Sequence, residues 1–192
     1  MASAGHTPVM RRLLGLSVVV CLVAVPASVA SVDPRIFVLS QADVPRGYMF
    51  DESNSLLITR AIVDAAPGDE GGQALARAGF VNGYFARYTN YGPPHWRYVN
   101  SAAYAFRQPS GARRYLLWMM KSAFAKVSGP KRVGLGDEAW LYTMTSPDTG
   151  TSVLWRHGRV VAWVSCLEMA RHRSLALAQA HKQQRRIAAQ LS

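Results

Sequence analysis

The chain predicts an α+β domain: a mostly antiparallel sheet of about five to six strands covered by two longer helices and one short helix. Three observations lead there. Neighbouring segments with period-two apolar spacing follow one another across short turns. Two longer segments repeat apolar residues every three or four positions, as a half-buried helix does. Strict strand–helix alternation, which a parallel doubly wound sheet requires, is missing.

The first segment stands outside that fold. Arg11 and Arg12 precede Leu13–Val25, an uncharged run of thirteen residues that is apolar apart from Ser17, shorter than the roughly 20 residues of a bilayer span. Pro26 ends the run, and Ser28 and Ala30 place small residues where a signal peptidase reads them. The expectation is an export signal over residues 1–30 and secretion after cleavage near Ala30. An uncleaved N-terminal membrane anchor is the alternative, because weakly apolar residues continue to Val32. Cys21 follows Val20 rather than the small residue of a lipid-attachment motif. Residues 31–192 are then expected to form a single α+β domain, long enough for one core.

The remaining elements read in order. Ser40 can cap one turn with Asp43 at its third position, and Pro45-Arg46-Gly47 ends it. "SLLITRAIV" (55–63) reads as a strand, "AAPGDEGG" as a loop and "QALARAGF" as the short helix. "VNGYFARYTNY" is a strand with Tyr84, Ala86 and Tyr88 on one face. "RYVNSAAYAFRQ" is another, with Tyr98, Ala102, Tyr104 and Phe106 together. In "QPSGARRYLLWMMKSAFAKV", Ser110 can cap a helix whose apolar side holds Leu116, Met119, Met120, Ala123, Phe124 and Val127; "SGPKR" stops it. Three strands follow, "EAWLYTM", "TSVLWR" and "RVVAWVSCLE", the last two joined through His157-Gly158. The final helix places Leu177, Ala180, Gln184, Ile187 and Leu191 on one stripe and clusters Lys182, Arg185 and Arg186 on another face.

Catalytic constellations are lacking. The sequence has no nucleophile elbow, Walker loop, zincin pair or dinucleotide fingerprint. Asp137 and Glu138 are adjacent, so on a strand they would diverge rather than share a substrate. Cys166 lies in "VVAWVSCL" and reads as a buried thiol. With Cys21 gone in the signal it has no disulfide partner. His157, His172 and His181 lack the paired spacing of structural zinc sites. No catalytic residue, metal or cofactor is expected.

Two surfaces carry binding potential. "YTNYGPPHWRY" crowds Tyr88, Tyr91, His95, Trp96 and Tyr98 around a proline-stiffened loop that can stack on sugars, peptides or flat ligands, with Arg97 for an anionic group. The alternative is that these aromatics fold down onto the end of the sheet. Lys182, Arg185 and Arg186 form a basic face that could contact an anionic surface. Without Arg11 and Arg12 the 22 basic residues become 20 against 11 acidic, a formal +9. That excess would draw an exported protein to anionic envelope polymers or lipid head groups. No basic run of five or more occurs, which argues against nucleic acid.

Leu39 to Tyr48, Gly83-Tyr84, Gly136 to Ala139 and Arg156 to Val161 together resemble bacterial extracytoplasmic α+β domains of unknown function, secreted or lipoprotein-like. The resemblance implies export and fold class, and carries no catalytic residue. The functional expectation is an exported non-enzymatic domain that binds a ligand or an envelope component. A small envelope hydrolase with an unrecognised site and a structural or interaction module are the alternatives.

Overall fold

The structure, a computed structural model, describes residues 32–66, 68–92, 97–122, 128–144, 149–168 and 172–192. Among these residues the centre is an eight-stranded antiparallel sheet, larger than expected. Its strands are β1 (Met49–Phe50), β2 (Leu56–Thr59), β3 (Phe80–Asn90), β4 (Arg97–Phe106), β5 (Ser128–Arg132), β6 (Glu138–Met144), β7 (Gly150–His157) and β8 (Val160–Leu167). They lie in the order β1-β3-β4-β8-β7-β6-β5, with β2 also paired to β3. The helices are α1 (Arg60–Asp64), α2 (Glu70–Arg77), α3 (Pro109–Lys121) and α4 (His172–Leu191).

The extra strands have physical causes. "SGPKR", expected to stop a helix, is a strand: it covers the open edge of β6, pairing Lys131 with Leu141 and Arg132 with Trp140. Pro130 is tolerated there because an outermost strand has one side without a ladder. The strand expected over 55–63 ends at Thr59, whose hydroxyl accepts from the Ile62 N–H and starts α1. The cap expected from Ser110 is not formed. Gln108 occupies the cap position without a side-chain bond, and Pro109 opens the helix. Residues 123–127, which include Ala123, Phe124 and Val127, lie outside the described set.

The sheet is covered on both sides, which is why β8 reads as one apolar run rather than an alternation. On one face Trp155, Val164 and Cys166 pack against Ala176, Ala180 and Ile187 of α4. On the other, Phe106, Leu154 and Val161 meet Leu75 of α2 and Tyr115 and Leu116 of α3. The expected stripe on α4 is rotated. Leu177 and Leu191 are only partly buried, whereas Gln179 and Gln183 are 2% and 0% exposed. Both glutamines were invisible to an apolar pattern. Gln183 accepts from the Ser101 hydroxyl at 2.8 Å and donates to the Ala102 carbonyl at 2.9 Å.

Residues 32–48 form a strap across the α4 face. Asn82 holds the Val32 carbonyl, Ser101 accepts from the Leu39 N–H, and the Tyr88 hydroxyl donates to the Leu39 carbonyl. The Ser40 turn forms, but its hydroxyl does not cap it: the Asp43 carboxylate accepts from the Ser40 N–H and hydroxyl, and the Asp43 N–H donates to the Ser40 carbonyl. Phe37, Val38 and Leu39 are buried beneath it. The described chain therefore joins the core from its first residues onward.

Candidate functional site: a cleft on the sheet face opposite α4

Period two along β3 and β4 decides which side chains can meet. Register pairs Tyr88 with Val99 and Asn90 with Arg97, so these four share the α4 face. Arg87, Thr89, Tyr98 and Asn100 share the other face. There, beyond the part of the sheet covered by α2 and α3, lies a cleft of about 430 Å³ lined by Asp51, Ser53, Asn54, Arg87, Thr89, Tyr91 and Tyr98.

The wall is a short turn, Glu52–Asn54, that Asp51 nucleates. Its carboxylate accepts from the Asn54 N–H at 3.1 Å, from the Asn54 side-chain amide and from the Thr89 hydroxyl at 3.2 Å. The Ser55 hydroxyl donates to the Asp51 carbonyl and accepts from the Arg87 N–H, while the Asp51 N–H reaches the Arg87 carbonyl. The wall is thereby bonded to the backbone of the strand that forms the floor.

Arg87 dominates the floor. Its guanidinium lies 5.7 Å from the centroid of Phe85 and 5.2 Å from that of Tyr98, distances at which a cation gains from the ring face. Its Nε donates to Asn100 Oδ1 at 3.0 Å, and Asn100 donates onward to Ser165 Oγ at 3.2 Å. Asn100 and Ser165 are 4% and 3% exposed. The side chain is oriented by a buried polar row continued by Ser152, which pairs with Ser165 in register.

The residues expected from the aromatic stretch therefore divide. Tyr91, 56% exposed, and Tyr98 line the cleft. Tyr88 does not: it is 3% exposed, its hydroxyl is spent on Leu39, and burial pushes its phenol up to about 12. Arg97 turns to the opposite face, close enough to buried Tyr48 to act on its phenol. His95 and Trp96 lie outside the described residues. Sequence reasoning missed Asp51, Ser53, Asn54, Arg87 and Thr89. The available signal was period two, which sets Phe85, Arg87 and Thr89 on one face.

On the basic face of α4, two of the three residues serve the strap. Lys182 donates to the Asp43 carbonyl, and Arg186 reaches Asp43 Oδ2 and the Ile36 carbonyl, each at 3.3 Å. Arg185 is exposed.

Asp137 and Glu138 converge after all, but on a cation. Gly136, with φ +55°, turns the chain before β6, so Asp137 is not yet in the strand. Arg156 binds Asp137 Oδ2 at 2.7 Å and Glu138 Oε1 at 2.9 Å, and Asp137 also accepts from the Gly158 N–H. This network staples the start of β6 to the β7–β8 hairpin, whose glycine has φ +54°. Cys166 is 0% exposed, and burial pushes its thiol up to about 12, far from a reactive thiolate. Among the described residues no cluster of three metal-ligating side chains occurs, and no helix is long and apolar enough to cross a membrane.

No protein-family model matches the chain, and no curated protein matches it in sequence. In structure it is similar to the extracellular domain of PknH from Mycobacterium tuberculosis. The TM-score is 0.53 at 10% identity, covering 79% of this chain and 94% of that one. What the two share is the fold, a broad antiparallel sheet with helices packed on it.

Proposed function

We propose that the protein is an exported, non-enzymatic domain that binds a small ligand or an envelope component in the cleft between the Asp51–Asn54 turn and the β3–β4 floor. The observation that carries this reading is Arg87. An arginine on a central strand, flanked by two rings and tied to a buried amide, is pre-oriented at the bottom of a cavity of ligand size. Export is supported by the arginine–apolar–small-residue order of the first thirty residues. The shared fold with an extracellular domain is in keeping with it.

The test is a thermal-shift screen of residues 31–192 against glycans, peptides, lipid head groups and small organic acids, at low and high salt. A hit that survives salt and disappears in Tyr98→Ala supports the cleft. A hit that persists in Tyr98→Ala, or turnover of an ester, amide or glycoside, overturns the reading. Mass spectrometry of the secreted protein should find Ser31 or a neighbour at its N-terminus. Intact Met1 in a soluble cytoplasmic fraction would contradict export.

A further inference from the structure

Five of the other described arginines pair with carboxylates. Arg35 pairs with Asp33, Arg60 with Asp64, Arg113 with Glu138, Arg156 with Asp137 and Glu138, and Arg186 with Asp43. Arg87 is half-buried, yet among the described residues it makes no ion pair. Its Nε is committed to Asn100, and its two terminal nitrogens have no hydrogen-bond partner there. An aspartate lines the same cleft, but Asp51 spends its oxygens on Asn54 and Thr89. A guanidinium fork held in one plane without a counter-ion is arranged to receive a planar oxyanion through two parallel bonds.

We infer that the cleft takes a monocarboxylate attached to a ring, with the carboxylate forked by the terminal nitrogens of Arg87 and the ring lying along Tyr98 and Tyr91. This rests on the cleft being the binding site. The ring requirement follows from the rim. Tyr98 already stacks its face toward the guanidinium, and Tyr91 stands 56% exposed at the mouth, so a flat or ring-shaped body buries aromatic surface at small ordering cost. The two coplanar oxygens of a carboxylate match the paired terminal nitrogens of the fork. Hydroxyls on Ser53 and Tyr98 suit a polyhydroxylated ring as well, so the carboxylate could sit on an aromatic acid or a sugar acid. The common chemistry is the ring-borne carboxylate.

The experiment is calorimetric titration of residues 31–192 with 4-hydroxyphenylacetate, glucuronate, their uncharged amides and phenyl phosphate, repeated on Arg87→Lys, Arg87→Met and Tyr98→Ala. At least one acid should bind about tenfold or more tightly than its amide, and a tighter hold on phenyl phosphate would overturn the carboxylate assignment. Arg87→Lys should weaken it by a similar factor because it keeps the charge and loses the fork. Should Arg87→Met fail to fold, Arg87→Lys with an unchanged melting temperature carries the test. The aromatic and sugar arms report which ring is preferred. Equal binding of acids and amides, or unchanged affinity in Arg87→Lys, would overturn the carboxylate assignment while leaving the cleft intact if Tyr98→Ala still abolishes binding. Binding indifferent to Tyr98→Ala sinks the cleft itself. Absence of binding by either acid at millimolar concentration overturns the ligand class.

Discussion

Replacing Gln183 with leucine should cost the protein about 2–4 kcal/mol, despite exchanging a polar core residue for an apolar one of similar size. The side chain is 0% exposed and makes two bonds into the sheet, from the Ser101 hydroxyl at 2.8 Å and to the Ala102 carbonyl at 2.9 Å. Leucine leaves the Ser101 hydroxyl proton buried without a partner, costing roughly 1–3 kcal/mol, and removes the side-chain bond to the ladder-bonded Ala102 carbonyl, costing about 1 kcal/mol more, partly offset by added apolar burial. Ser101 also accepts from the Leu39 N–H, so the loss reaches the strap. For a chain of this size about 1 kcal/mol moves the melting temperature by roughly 2–4 °C, giving a drop of about 4–16 °C. Urea titration followed by tryptophan fluorescence, with thermal melts by circular dichroism, measures it. Ser101→Ala breaks the same hydrogen bond, so the double variant should fall short of additivity by about 1 kcal/mol. A Gln183→Leu protein within about 0.5 kcal/mol of wild type, or strict additivity, would refute the reasoning.

Asp43, Cys166 and Gly136 each carry a further expected outcome. Burial alone would raise the Asp43 carboxyl, but bonds from Ser40 and the nearby Arg186 and Lys182 hold it below its usual value. Its contribution is complete above the unfolded value of about 4 and lost as pH falls through the folded one. Asp43→Asn should therefore flatten the acid limb of the stability curve, and an unaltered limb would contradict the strap. Cys166 keeps its proton in the fold while an unfolded thiol ionises above about 8.5, so stability should decline as pH rises from there. A thiol reagent should label it in native buffer only as fast as the protein unfolds, and immediate labelling would contradict its burial. Gly136→Ala should cost about 2 kcal/mol or more in urea titration, since φ is +55° and the added methyl would strike the Arg156 carbonyl. A neutral effect would show that the Arg156 staple does not depend on that turn.

Most of the sheet could be read from residues because its signals are local. Period two set the faces of Phe80–Asn90 and Arg97–Phe106, and the glycine after His157 marked the β7–β8 hairpin. What escaped is non-local or polar. Nothing in "SGPKR" announces a strand until β6 offers an edge, and Gln183 looks like a surface residue until Ser101 lies opposite it, 82 positions earlier in the chain. The binding surface was half legible. Clustering along the chain grouped Tyr88, Tyr91, Arg97 and Tyr98, but a strand sends neighbours to opposite faces, so Tyr88 and Arg97 went to the strap side. Arg87 took the place meant for Arg97. The turn that walls the cleft lies more than thirty residues before it, held by Asp51 and Ser55.

The central claim, that ligand is taken on the sheet face opposite α4, is tested most directly by nuclear magnetic resonance of isotope-labelled residues 31–192 titrated with a binding acid or envelope extract. Saturable shifts should concentrate on the amides of Ser53, Asn54, Arg87, Thr89, Tyr98 and Asn100. Shifts confined to the other face, around Lys182 and Arg185, would contradict the account.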